Sequence, residues 1–150
     1  MRINQFTDYS LRVLLYLGLK GDRATVAEIA DSFRISRNHL VKVVHHLSQA
    51  GYIHSYRGKA GGIQLKRDPS SIRIGDFVQE SEPLDLLECF NVKTNTCPIQ
   101  GVCRLESVLK EGARAFVDQL NQHSLADFLQ PGAARDARMK KLGLTVPKTG

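Results

Sequence analysis

Apolar side chains recur at helical spacing over residues 5–20. Phe6, Tyr9, Val13, Tyr16 and Leu17 form one stripe, and Leu11, Leu14 and Leu15 widen it. A helix this apolar is expected to be covered on more than one side. Gly21-Asp22 ends it. Thr25 and Glu28 have the spacing of a capping box, so a short second helix is predicted to run to about Phe33. Ser36 is a good N-cap for a third helix, roughly Arg37 to Ala50, with Gly51 placed to stop it. Its apolar stripe is Leu40, Val43, Val44 and Leu47, extended by Val41. Arg37, Asn38, His39, Lys42, His45 and His46 are left largely on other faces.

The pattern then switches period. Tyr52-Ile53-His54-Ser55-Tyr56 alternates like a strand, Gly58-Lys59-Ala60-Gly61-Gly62 is a turn, and Ile63-Gln64-Leu65 alternates again. Two helices joined by a short turn, the second rich in donors near its start, make a helix-turn-helix pattern, and a hairpin directly after it is a wing. Asp68-Pro69-Ser70-Ser71 breaks the pattern, and Ile74 to Ser81 can form a short helix with Ile74, Phe77 and Val78 inward. A strong amphipathic helix follows Cys103 to about Gln122. Leu105, Val108, Leu109, Gly112, Phe116 and Leu120 lie on one face, flanked by Ala113 and Val117. Such a face suits helix pairing between two copies. The fold class is therefore mainly α with a small β-hairpin wing: a winged helix-turn-helix plus a long dimerisation helix. The expected divisions are a DNA-binding part at 1–81, a cysteine loop at 82–103, a dimerisation helix and last turn at 104–130, and a mobile basic tail at 131–150.

Charge sharpens this picture. The net charge of +6 is unevenly placed. From Arg34 to Arg67 there are seven Lys or Arg, no Asp or Glu, and four of the five histidines. An acid-free block of this length suggests a surface facing phosphate. Arg37, Asn38 and His39, beside Ser36 at the start of the third helix, are the candidate base readers, since Arg suits guanine and Asn suits adenine. Lys42, Arg57 and Lys59 would mainly hold phosphate or groove. The apolar runs are far shorter than a membrane span, and no charged-then-apolar leader opens the chain, which points to the cytoplasm.

The three cysteines, Cys89, Cys97 and Cys103, are spaced C-x7-C-x5-C. An odd number argues against a disulfide framework. No C-x-x-C pair or nucleophile–base pair suggests a thiol enzyme. A structural zinc site usually draws four ligands from close pairs. Three thiolates in a loop of this width suit an iron–sulfur cluster, whose irons bind separate sulfurs. Zinc and inert cysteines stay open on spacing alone. Asp8, in the first turn of its helix, is by itself a carboxylate where the helix dipole favours one.

Phe6-Thr7-Asp8-Tyr9, the run Ser36-Arg37-Asn38-His39-Leu40-Val41-Lys42, the wing Arg57-Gly58-Lys59-Ala60-Gly61-Gly62 and Ile72-Arg73-Ile74-Gly75-Asp76 together resemble the NsrR family. These are bacterial nitric-oxide-sensing iron–sulfur repressors related to IscR. The resemblance covers about residues 1–130. It implies a homodimer with one [4Fe–4S] cluster per subunit, [2Fe–2S] being the alternative. It implies Cys89, Cys97 and Cys103 as ligands, with Asp8 reaching across from the other subunit as the fourth. Glu106 stands where IscR-like proteins have a histidine, which points away from IscR. The implied activity is a repressor that binds double-stranded operator DNA with its cluster intact and is released by nitric oxide. A related winged-helix regulator sensing iron or oxidants through the same cysteines is the alternative.

Overall fold

The computed structural model describes residues 3–84 and 86–147. Among them the helices are α1 (Gln5–Lys20), α2 (Val26–Phe33), α3 (Arg37–Gln49), α4 (Ile74–Ser81), α5 (Arg104–Leu120) and α6 (Ala133–Lys141), and the strands are β1 (Ile53–Tyr56) and β2 (Gly62–Leu65). The described residues separate into two compact units, 4–72 with 124–147, and 73–123 with Ile3.

In the first unit, α1 packs on α3 and on β2, and α2 packs on α3. Val13, Leu14 and Leu17 of α1, Ile29 and Ala30 of α2, Leu40, Val43 and Leu47 of α3, and Ile53 and Ile63 of the hairpin are all buried. The helix ends follow local chemistry. Asn4 Oδ1 accepts from Thr7 N–H at 2.8 Å to open α1, and Gly21 closes it in the left-handed region (φ 69°). The Thr25/Glu28 capping box forms at α2. Lys20 and the Thr25 N–H hold the Glu28 carboxyl below its usual range. Ser36 caps α3 by backbone position only, with no side-chain cap bond.

The hairpin is antiparallel with Ile53 opposite Leu65 and Tyr56 opposite Gly62. Ala24, just before α2, exchanges both backbone hydrogen bonds with Ile63 (2.9 and 2.8 Å), so β2 is flanked on both edges. That bridge fixes the wing to the helix-turn-helix.

Part of the tail expected to be mobile, 131–150, is helical. Residues 133–141 form α6, and Met139 is 2 % exposed. Ser32 Oγ donates to Leu142 O at 3.0 Å, and Arg138 donates to Phe128 O at 2.7 Å. One buried methionine anchors a helix whose remaining residues are mostly small or charged, so periodicity gave no sign of it. Residues 148–150 of that tail, like 1, 2 and 85, lie outside the described residues.

In the second unit, α4 packs on α5. The sequence divisions placed α4 with the DNA-binding part, whereas here it groups with α5. Arg73 provides no side-chain cap for α4. Asn121, just beyond α5, does that work: its Oδ1 accepts from Asp76 N–H at 2.9 Å and its Nδ2 donates to Asp76 Oδ1 at 2.6 Å. Gly75 sits against Val117 O and the Asn121 amide, leaving no room for a Cβ. Gly75→Ala is expected to destabilise this unit by about 1–3 kcal/mol. Urea unfolding of the two proteins, compared by midpoint at constant slope, checks it. The segment 104–130 holds α5 and a last turn, as its sequence pattern divides it. The helix ends at Leu120, and the turn, Leu125–Phe128, is a 3-10 turn that groups with the first unit.

Candidate DNA-reading surface and cysteine loop

The start of α3 presents Ser36, Arg37, Asn38, His39 and Lys42 to solvent together. Arg37 stands 3.5 Å from Asp31 with both side chains well exposed, a pair worth little and easily exchanged for another anion. His39 and His46 face the N-terminal turns of α1. The His46 ring meets Phe6 edge-on at 5.2 Å, and His39 lies 6.3 Å from the Tyr9 ring. Gln5, Phe6, Tyr9, His39, Lys42 and Val43 line a small pocket of about 110 Å3 where the two helices meet. The orientation of α3 is thus set by packing along the first turns of α1.

At the wing tip Arg57, Gly58 and Lys59 are exposed. Gly58 takes a positive φ of 96°, and Gly61 N–H returns to Gly58 O at 2.9 Å. A side chain at Gly61 would strike the carbonyls of Tyr56 and Gly58, so the turn needs glycine there. Sequence reasoning missed Arg23. Its guanidinium lies 3.7 Å over the Tyr56 ring and donates to Ala60 O at 3.3 Å, which braces the wing from the α1–α2 connection. A lone arginine in a loop carried no signal for this.

Arg67, counted with the phosphate-facing block, is otherwise engaged. It lies 3.8 Å over the Tyr52 ring and donates to Ala50 O (2.8 Å) and Gly51 O (3.3 Å), satisfying carbonyls just beyond the end of α3.

Asp8 is bound by Arg12 one helical turn later, through Oδ1 to Nε at 3.1 Å and Oδ2 to Nη2 at 2.8 Å. Arg12 also stands 5.8 Å from the Tyr9 and Phe33 rings. Both members of the ion pair are partly exposed.

Cys89, Cys97 and Cys103 are free and half-buried. Cys89 lies in the 3-10 turn Glu88–Phe90, and Cys103 is the residue before α5. The loop between the first two is tied without the thiols. Glu88 accepts from Thr96 N–H at 2.9 Å and from its hydroxyl at 2.7 Å, which lowers the Glu88 carboxyl from its usual range. Asn95 Oδ1 accepts from Cys97 N–H at 2.9 Å. Burial raises the Cys89 thiol, followed by the Glu106 carboxylate and, more weakly, by Cys97 and Cys103. Among the described residues, no three His, Cys, Asp or Glu side chains converge enough to hold a single metal ion. Asn95 Nδ2 is buried with no hydrogen-bond partner. Three free thiols and an orphaned amide donor in one loop fit a sulfur-rich polynuclear group, which takes its ligands at separate irons and accepts hydrogen bonds at its sulfurs.

Several apolar side chains in and beside this loop face solvent, among polar and charged ones. Val92, Ile99 and Val102 are exposed, as are Leu105 and Val108 at the start of α5. Gly112 meets nothing within 4 Å, whereas Val117 is buried. Among the described residues, no helix is long and apolar enough to cross a membrane.

A helix-turn-helix with a braced hairpin wing defines the chain as a winged-helix protein. Solved structures agree on the fold. CymR, the global cysteine regulator of B. subtilis, superposes with a TM-score of 0.69 at 23% identity, covering 86% of this chain and 96% of that one. IscR of T. potens gives 0.69 at 21% identity, covering 86% of each. The family model described as Rrf2, iron-dependent transcriptional regulator, matches residues 3–131. The HTH-type transcriptional regulator NsrR of Shouchella clausii is 45% identical over 132 residues, 86% of this chain and 89% of that one. The chain belongs to the Rrf2 family of transcriptional regulators and is a homologue of NsrR, not an enzyme.

Proposed function

We propose that the protein is a homodimeric, nitric-oxide-sensitive repressor that binds operator DNA while an iron–sulfur cluster is held in its cysteine loop. The observation that carries this is the cysteine loop itself: three free, half-buried thiols in one short loop that also holds a buried amide donor without a partner. The 45% identity to an NsrR supports it.

In this reading Cys89, Cys97 and Cys103 hold the cluster, and Asp8 of the partner subunit provides the fourth ligand of a [4Fe–4S] group. When bound, the cluster supplies iron at which nitric oxide can compete with a protein ligand. Arg12 and the iron are rivals for Asp8. The Arg12 pair is partly exposed and weak, of order 1 kcal/mol or less, so it would leave Asp8 available as a ligand. Asp8 lies one residue from Tyr9 and two from Phe6, which pack on α3. Its release therefore acts where α1 sets the pose of α3. A dimeric reader needs its two helices about one DNA turn apart, so a small change in pose loses contacts. A coupling of about 2–3 kcal/mol lowers affinity about 30- to 150-fold. The exposed Leu105 and Val108 face of α5 is the proposed dimer seam.

Protein purified without oxygen is expected to carry about four iron and four sulfide per chain, or about two of each for [2Fe–2S]. Nitric oxide should bleach it and lower operator affinity by the factor above. Iron-free preparations overturn the reading. Release by oxygen or chelator but not by nitric oxide would reassign it to iron or oxidant sensing.

A further inference from the structure

Val41 is 55 % exposed, while the other apolar side chains of α3 are buried: Leu40 at 0 %, Val43 at 1 %, Val44 at 8 % and Leu47 at 0 %. The sequence pattern makes Val41 an extension of the core stripe, and the structure turns it out to solvent. A single exposed valine is ordinary on a protein surface. Its neighbours make this one informative. Val41 follows Arg37 by four residues and Asn38 by three, and precedes His45 by four, so helical geometry groups these side chains on one face, with Lys42 adjacent. All of them are exposed. No Asp or Glu occurs from Arg34 to Arg67. A β-branched residue gives this surface neither charge, nor a hydrogen bond, nor helix propensity.

We propose that Val41 is a specificity-determining residue whose γ-methyl groups pack against the C5 methyl of a thymine in the major groove. This rests on the assignment of α3 as the groove-entering helix. In that groove thymine alone among the bases presents an apolar group, and the other base edges present donors and acceptors. Against a donor or acceptor, Val41 would bury a polar group without a partner. Against thymine, it removes two apolar groups from water. Its branched Cβ restricts it to essentially one rotamer in a helix, so the methyls are already placed before DNA arrives.

The test uses the full-length, anaerobically purified protein and a duplex that it selects from a random-sequence pool. Each thymine is replaced singly by deoxyuridine, which deletes the methyl and changes no hydrogen bond. One symmetry-related pair of positions should lose about fourfold per half-site, and about fifteenfold together, the effect of burying about one methyl group each. Val41→Ala should bind the thymine duplex more weakly by a similar factor and no longer distinguish thymine from uracil there. If no replacement weakens the wild-type protein beyond about twofold, or if Val41→Ala keeps the full uracil penalty, the proposal is wrong. If Arg37→Ala binds the selected duplex as well as wild type, or if no duplex is selected at all, α3 itself is misassigned and the role of Val41 falls with it.

Discussion

Cys97→Ser protein, prepared without oxygen, should lose nearly all its iron and sulfide and bind operator DNA about 30- to 150-fold more weakly than wild type. The substitution is mild for the fold. Cys97 sits in a surface loop whose backbone is held by the Asn95 side chain, and that bond goes to the Cys97 N–H, which serine retains. The Glu88–Thr96 tie is equally untouched. What changes is the donor, since a serine hydroxyl is a poor substitute for thiolate at iron. Thermal unfolding of the cluster-free wild type and of the variant should therefore coincide, while iron content and DNA affinity separate. Normal operator binding by Cys97→Ser, with or without oxygen, would leave a DNA-binding protein whose cysteines do not regulate it.

Operator affinity should fall about 10³- to 10⁵-fold between 50 and 200 mM salt if the dimer neutralises six to ten phosphates. Lys42→Ala should reduce the slope of log affinity against log salt by about one per half-site. Arg67→Ala offers the contrast. Both residues are cations of the same acid-free block. Yet Arg67 is stacked on Tyr52 and bonded to the carbonyls after α3, whereas Lys42 is exposed on α3. Removing Arg67 should lower folding stability and leave the salt slope nearly unchanged. A flat salt response would rule out the phosphate-facing surface. Equal slopes lost by the two variants would show that Arg67 leaves its carbonyls to join the DNA.

The helix-turn-helix and wing were legible because their determinants are local. The Thr25/Glu28 box, the apolar spacing of Leu40, Val43, Val44 and Leu47, and the alternation on either side of Gly58 each act within a few residues. The exposed polar face of α3 was legible for the same reason, being what remains once the core stripe is taken out. Val41 shows the limit of that subtraction. A valine beside a stripe counts as core by pattern, and only the position of α1 and α2 leaves it outside.

Sequence alone settled the order and type of most elements, the acid-free basic block and the three cysteines in one loop, because helical period, capping and charge are read along the chain. Folding decided which cations are occupied and which are available, as Arg67, Arg23 and Lys42 show. It also decided that Asn121 rather than Arg73 caps α4, and that a buried methionine and two hydrogen bonds to distant residues seat α6 and the residue after it. These are contacts between residues far apart in sequence. Their energies depend on which groups meet in space, a quantity no local pattern contains.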